Sequence, residues 1–395
     1  MTIKYIDELQ IAERRLFIRV DFNVAMDEGG AISDDTRIRA ALPTIRYALG
    51  QNARVILASH LGRPKGKLNP KYSMRPVGER LAELLGDVDV LHPEDCVGDA
   101  VKKLASELAP GQVMLLENLR FHPEEEANGD AFAKQLASLA EVYVNDAFGT
   151  AHRAHASTVG MVPYVAQKGA GFLMRAEVEA LTRLLKNPAR PFVALLGGAK
   201  VSDKLGVVEN LMNICDRLLI GGGMAYTFLK AKGIAVGKSL VEEEKIHAAR
   251  RILERAETRG IQIMLPLDHI VASVCSAEAL PKETEGQAIP DEMMGLDIGP
   301  RTISKFTSAI EKAGTIFWNG PMGVFELAPF SVGTDRMAQA VADSAAVSVV
   351  GGGDSVAAVT KAGVADKINH ISTGGGASLE FLEGKKLPGI AALEQ

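Results

Sequence analysis

Four glycine clusters stand directly behind runs of strand-like residues, and they are the features of this chain best suited to chemistry. They are Gly197–Gly198 after FVALL, Gly221–Gly223 after RLLI, Gly351–Gly353 after VSVV and Gly374–Gly376 after INHIST. Glycine at a strand end lets the backbone turn sharply and approach a ligand closely. Where a helix follows, its unpaired N–H groups and its dipole favour an anion, typically phosphate. Four such clusters in one half of a chain point to a nucleotide site at the carboxyl edge of a parallel sheet.

The residues around these clusters extend that chemistry. GGAKVSDK opens a helix in this reading, and Lys200 and Lys204, four residues apart, would then share one helical face and neutralise a moving phosphoryl group. Two solvated surface lysines would satisfy the same spacing. The segment is not a Walker A loop, because GxxxxGK[ST] occurs nowhere. In GGGDSVAAV, Asp354 and Ser355 are common N-cap types, so capping alone could account for them. A carboxylate beside phosphates calls for a cation between them, and Mg²⁺ fits that need. WNGPMGVFE offers Asn319 and Glu326 as partners for ribose hydroxyls.

In the first half, basic side chains recur where strands end or helices begin: Arg37, His60, Arg63, Arg120 and Arg153. Arginine suits bidentate capture of phosphate or carboxylate, so their common placement suggests a site for a small acid. Asp21 and Asn23 in RVDFNV could accept hydrogen bonds from its hydroxyls. His152 and His155 lack an evident third ligand, so loop packing rather than a metal is the reading for them. The acidic triplets 124–126 and 242–244 read as solvated faces.

The elements that must position these residues alternate. Strand candidates in the first half are RLFIRVDFNV, ARVILASH, DVDVLH, VMLLENLRF and EVYVNDAF, separated by helix-period stretches such as TRIRAALPTIRYAL and DAFAKQLASLA. The second half continues with FVALLGG, RLLIGGG, IQIMLPLDHIVA, TIFWNGP, VSVVGGG and INHISTGGG. This alternation predicts an α/β chain of mostly parallel sheets covered on both faces. At 395 residues two domains are expected, with the boundary near Glu177–Pro191 and a ligand cleft between them.

Composition narrows the classes. Hydrophobic residues make up 47% and charged residues 24%, as in ordinary globular proteins. The net charge of −5 argues against general nucleic-acid binding. The three cysteines are odd in number and far apart with no CxxC pair, so neither a disulfide framework nor a zinc site is expected. No apolar signal core and no membrane-length apolar run is present, so a cytoplasmic, soluble protein is expected. A dehydrogenase would need a GxGxxG turn, whose spacing the triplets lack. A nonenzymatic nucleotide binder would account for the glycines and leave the arginines idle.

Taken together, RVDFNV, SHLGRP, LLENLRFHPEE, NDAFGTAHRAHAST, GGAKVSDK, GGGMAYTFL, LDIGP, WNGPMGVFE, GGGDS and STGGGASLEFLEGK closely resemble the phosphoglycerate kinase family, in family order from Arg19 to about Lys385. One departure is Ala25, where the family usually has proline. The resemblance implies two Rossmann-like doubly wound parallel-sheet domains separated by a cleft. These are an N-terminal phosphoglycerate domain, 1–173, a hinge helix, 174–190, and a C-terminal nucleotide domain, 191–379, with a tail, 380–395, returning to the first domain. It implies a monomer acting on 3-phosphoglycerate and ATP with Mg²⁺, without nucleic-acid or membrane partners.

Carried over by motif, the acid is held by Asp21, Phe22, Asn23, Arg37, His60, Leu61, Gly62, Arg63, Arg120 and Arg153. The nucleotide meets Lys204, Gly221, Gly222, Gly299, Asn319, Glu326, Gly352, Gly353, Asp354 and Ser355, with Asp354 as the Mg²⁺ contact. Arg37, Lys200, Gly353 and Gly376 are the implied catalytic set.

Overall fold

The computed structural model describes residues 3–27 and 29–394. The chain forms two compact units, Met1–Glu179 with Lys386–Gln395, and Ala180–Lys385. The division falls inside the helix Phe172–Lys186.

In the first unit, β1 (Arg15–Arg19) is followed by a two-stranded ribbon of β2 (Ala25–Met26) and β3 (Ile32–Asp34), then β4 (Arg54–Ala58), β5 (Val90–Leu91), β6 (Val113–Leu115), β7 (Val142–Asn145) and β8 (Gln167–Ala170). The main sheet is wholly parallel, in the order β5-β6-β4-β1-β7-β8. Its central strands are unbroken apolar runs because helices cover both faces: Leu16, Phe17 and Ile18 on β1 and Val55, Ile56 and Leu57 on β4 are fully buried. The edge strand β8, reading QKGA, carries no apolar run and is absent from the sequence expectation. The tail helix Pro388–Ala391 belongs to this unit, where the Gly389 N–H donates to the Ala151 carbonyl at 2.8 Å and Lys168 Nζ to that of Ala392 at 2.9 Å.

The second unit contains β9 (Phe192–Leu196), β10 (Arg217–Ile220), β11 (Gln262–Met264), β12 (His269–Ala272), β13 (Lys282–Glu283), β14 (Met294–Ile298), β15 (Thr315–Asn319), β16 (Val347–Gly351) and β17 (His370–Ser372). Six of them form a second parallel sheet in the order β11-β10-β9-β15-β16-β17. Numbered within the sheet this is 3-2-1-4-5-6, the doubly wound order that opens a crevice where the winding reverses, between β9 and β15. Strand β15 crosses the core with Trp318 wholly buried, so its end, Asn319, is rigidly placed at that crevice.

IQIMLPLDHIVA is expected as one strand and is two. Pro266 lacks an N–H for a ladder, and Asp268 turns away to accept the N–H groups of Arg301 and Thr302 at 2.9 and 2.8 Å, capping the helix Pro300–Ile310. Strand β12 therefore leaves the parallel sheet and joins an antiparallel one, β13-β12-β14, which the alternation did not foretell. Residues 380–385 finish the helix Gly376–Leu382 and stay with the second unit, where Asn210 Nδ2 donates to the Leu382 carbonyl at 2.6 Å. Among the described residues no helix is long and apolar enough to cross a membrane.

Candidate functional site

At the crevice of the second unit lies a cavity of about 390 Å³ whose wall includes Lys200, Lys204, Asn319, Gly352–Ser355 and Gly376. Eight of the proposed nucleotide or catalytic positions thus converge, from the ends of β9, β15, β16 and β17. Gly352 is at φ +93°, and a Cβ there would lie 2.7 Å from Asn319 Nδ2, so only glycine can start the helix Gly353–Lys361 this way. That start directs the first-turn N–H groups and the positive end of the helix dipole at the cavity. Ser355 is engaged elsewhere: its Oγ accepts the Gly320 N–H, fixing the β15 loop to the helix.

The segment Gly197–Lys204 is not helical. It is a run of turns, closed by the Lys204 N–H on the Val201 carbonyl at 2.9 Å, and the helix begins only at Leu205. The two lysines therefore do not share a helical face. Lys200 is exposed at the cavity, whereas Lys204 is buried and donates to Asn319 Oδ1. Burial pulls the Lys204 ammonium down to about 8, partly opposed by the charges of Asp354 and Asp203. Asn319 is likewise committed: Lys204 occupies its oxygen, and its Nδ2 donates to the Gly351 carbonyl at 2.6 Å. It braces the cavity wall rather than presenting a free amide to a ribose.

Four nucleotide positions lie outside this wall. Gly222, at φ +65°, packs behind it, where a Cβ would meet the Gly198 N and O and the Pro321 O at 2.6–2.7 Å. Gly221 faces Met322 Sδ, and Gly299 abuts the Asp268 carboxylate at the start of the helix Pro300–Ile310. Glu326 is exposed on the loop after β15. Asp203 and Asp354 are the carboxylates in the cavity wall. A carboxylate held beside anion-seeking N–H groups is the donor a hard divalent cation requires, so the residues fit Mg²⁺.

The first unit brings the candidate acid-site residues together at the ends of β1, β4 and β6. Asp21 accepts from Arg37 Nη1 at 2.6 Å, and Asn23 Oδ1 accepts the Gly62 N–H at 2.8 Å. The Gly62 carbonyl in turn accepts from Arg120 Nη1 at 2.9 Å, so three separate loops are tied together. His60 is buried, and its Nδ1 lies 3.2 Å from Arg19 Nη2. A guanidinium can only donate, so Nδ1 accepts and the ring proton resides on Nε2. Burial first, then the charges of Arg19, Arg120 and Arg37, holds the His60 ring well below the usual imidazole range, neutral at pH 7. His155 is pushed down to about 4 by burial and by Arg19, Arg120 and Arg153. Both histidines register one concentrated positive field, the condition for capturing a multiply charged acid.

Arg63 and Arg153 are exposed, while Phe22 and Leu61 point into the core and can offer a ligand only backbone. The Phe22 N–H is already given to Ser59 Oγ at 2.8 Å.

The acidic triplet 124–126 is not a solvated face. Glu125 is fully buried and accepts from the Ser157 N–H and Oγ at 2.9 and 2.5 Å, and Ser157 Oγ accepts from Arg19 Nε at 2.8 Å. Burial pushes the Glu125 carboxyl up, while Arg19 and the Ser157 hydrogen bonds oppose it. Glu126 pairs with Arg120 Nε at 3.3 Å. In the other triplet, Glu242 accepts from the Ser202 N–H and Oγ at 2.9 and 2.6 Å. The sequence reading missed Arg19, Glu117, Asn118, Glu125 and Ser157. Asn118 donates to the Leu61 and Tyr72 carbonyls at 2.8 Å each, and Glu117 accepts the Met74 and Asn118 N–H groups at 2.7 Å. Only the recurrence of polar residues in otherwise apolar strand ends (ENLR, RVD) hinted at such buried supports.

Known proteins share the sequence and the fold of this chain. The phosphoglycerate kinase family model matches residues 6–385. The chain is 60% identical over 403 residues to the phosphoglycerate kinase of Anaeromyxobacter sp. (strain K), covering all of both chains. It is 60% identical over 398 residues to that of Acidobacterium capsulatum, covering 99% of this chain and 98% of the other. Among solved structures, phosphoglycerate kinase from Coxiella burnetii superposes with a TM-score of 0.90 at 44% identity over 99% of both chains. The enzyme from Pyrococcus horikoshii gives 0.84 at 36% identity over 98% of both.

Proposed function

The chain belongs to the phosphoglycerate kinase family, and from that premise we propose how its residues carry the reaction. The enzyme transfers a phosphoryl group reversibly between ATP and the 1-carboxylate of 3-phosphoglycerate, giving ADP and 1,3-bisphosphoglycerate, a step of glycolysis and gluconeogenesis. The observation that carries the assignment of roles is the cavity joining Lys200, Lys204, Asn319, Asp354 and the helix start at Gly353.

No general base is needed in the ATP-consuming direction, because a carboxylic acid with a pKa near ~4 is already ionised at neutral pH. The difficulty is to bring one anion up to another and to stabilise charge spread over the moving group, so catalysis is positioning plus electrostatics. Asp21, Asn23, His60, Arg63, Arg120 and Arg153 hold the phosphoglycerate, with the backbone of Phe22, Leu61 and Gly62 shaping the loops. Lys204 and the N–H groups of Gly352–Ser355 restrain the nucleotide phosphates, while Gly221, Gly222, Gly299 and Glu326 form the nucleoside side. Asp354 would hold Mg²⁺, which when bound neutralises phosphate charge. Arg37 and Lys200 stabilise the transferring phosphoryl with the N–H groups of Gly353 and Gly376.

Residues 1–173 serve the acid and 191–379 the nucleotide, with the segment 174–190 as the hinge through which the two ligands are brought together. The protein works as a cytoplasmic monomer. The test is MgADP formation from MgATP with and without 3-phosphoglycerate, using Lys200→Ala as control. Turnover that requires the acid and collapses in the variant supports these roles. Full turnover in the variant removes Lys200 from them.

A further inference from the structure

Away from the half-sites, the outer edge of the first unit brings together three different metal-ligating side chains. Asp95 and Cys96 follow β5, and His122 ends the segment after β6. One ligand atom from each, a carboxylate oxygen, a thiol sulfur and an imidazole nitrogen, all lie within 4.8 Å of one another. The two segments are already clasped, with His122 Nε2 2.6 Å from Asp95 Oδ1, and that same oxygen accepts the Cys96 N–H at 2.6 Å. The imidazole is held against the Phe132 ring, stacked at 5.0 Å, so its orientation is restrained.

We infer that Asp95, Cys96 and His122 form a binding site for a borderline-soft divalent ion of the zinc class, independent of the nucleotide's Mg²⁺. A mixed set of sulfur, nitrogen and oxygen donors selects Zn²⁺ over Mg²⁺, which prefers an all-oxygen octahedron. Three protein ligands leave the fourth tetrahedral position to water. Tetrahedral ligation puts nitrogen and oxygen donors about 3.3 Å apart, so His122 and Asp95 separate by well under 1 Å from their present hydrogen bond as the ion enters. The exchange balances simply. The Cys96 thiol releases its proton to solvent as the sulfur–metal bond forms, His122 gives up through solvent the Nε2 proton it now donates to Asp95 and coordinates through that nitrogen as the neutral ring protonated on Nδ1, and thiolate plus carboxylate neutralise the dication. A cysteine nucleophile served by His122 and Asp95 does not fit, because Cys96 is fully buried and no substrate reaches it.

The ligands come from loops rather than a CxxC repeat, which is why no spacing in the sequence announced them. An ion there would pin the segment that also carries Arg120.

The probe is Co²⁺ added to the full-length Cys275→Ser protein, which lacks the exposed cysteine. The expected result is one ion per chain with a thiolate-to-cobalt absorption band, displaced by Zn²⁺ and lost in the additional variants Cys96→Ser and His122→Gln. Zn²⁺ affinity in either variant should fall at least ~100-fold. Absence of the band in the parent protein overturns the inference whether or not the variants fold. So does a band that persists in Cys96→Ser shown by circular dichroism to be folded.

Discussion

Lys204 sets binding against stability, and Lys204→Met separates the two. The side chain is 9% exposed, and burial lowers its ammonium from 10.5 to about 8. At about 1.4 kcal/mol per pKa unit, keeping the lysine charged in the folded protein at pH 7 costs roughly 3 kcal/mol. The sign follows from proton counting. Between about 8 and 10.5 the unfolded chain holds the proton and the folded chain does not, so stability rises with pH across that window. Methionine removes the charge and strands Asn319 Oδ1, a loss of about 1–3 kcal/mol that is the same at every pH. From pH 7 to pH 10 the parent should therefore gain on the order of 2 kcal/mol relative to the variant, moving the difference between them in the parent's favour. The single tryptophan, Trp318, is buried in the same unit, so its fluorescence during urea unfolding reports on the right structure. MgADP should raise the midpoint of the parent and leave that of the variant nearly unmoved. A parent–variant difference that is flat between pH 7 and pH 10 would refute the reasoning, because no charged-lysine cost would then exist.

The same site makes nucleotide binding take up a proton. At pH 9 Lys204 is mostly neutral in the free enzyme and charged beside phosphates, so calorimetry in buffers of different ionisation enthalpy should show about half a proton or more absorbed in the parent and none through this group in Lys204→Met. For catalysis, Arg37→Ala and Lys200→Ala should each lower kcat about 10²-fold or more, whereas Arg153→Ala should act chiefly on KM for phosphoglycerate; small, equal effects from all three in steady-state kinetics would sink the division of labour. Gly352→Ala, placing a Cβ 2.7 Å from Asn319 Nδ2, should weaken MgADP at least ~10-fold by titration while the far-UV dichroism stays that of the parent; unchanged affinity speaks against the helix start as the phosphate site. Glu125→Ala, which leaves Arg19 facing a buried void, should cost about 3–5 kcal/mol in urea unfolding followed by circular dichroism, and a loss of the size seen for surface residues would mean the triplet is a solvated face after all.

The two half-sites differ in how openly the sequence displays them, and the cause is physical. A phosphate cavity at the end of a parallel sheet is made of backbone, and backbone that must turn at positive φ writes itself into the chain as glycine, so Gly352 and its neighbours mark the place and the strand before them. The same locality misleads over Gly197–Lys204. A glycine pair after a strand reads as the opening of a helix, but the loop spends eight residues in turns before Leu205, since Lys204 must fold back under Asn319 instead of continuing outward. For the same reason IQIMLPLDHIVA reads as one strand, because nothing in its hydrophobicity records that Asp268 is required thirty-three residues away at Arg301.

The acid half-site hides its supports because they are tertiary. The arginines proposed to meet the acid sit at loop ends where a reader looks for them, but the Arg19–Ser157–Glu125 chain that holds His60 in its neutral tautomer is drawn from three distant segments. Glu125 sits between two exposed glutamates and looks identical to them until Ser157 is brought across to it. Burying that carboxylate is unfavourable unless Arg19 is buried with it, and burying Arg19 is unfavourable unless His60 gives up its proton to become an acceptor. The cations left at the loop ends are then those proposed to meet the acid, Arg37 held on Asp21, Arg120 held on Glu126 and the exposed Arg153, so the positive field that would mark an acid site depends on a balance struck largely among side chains behind them.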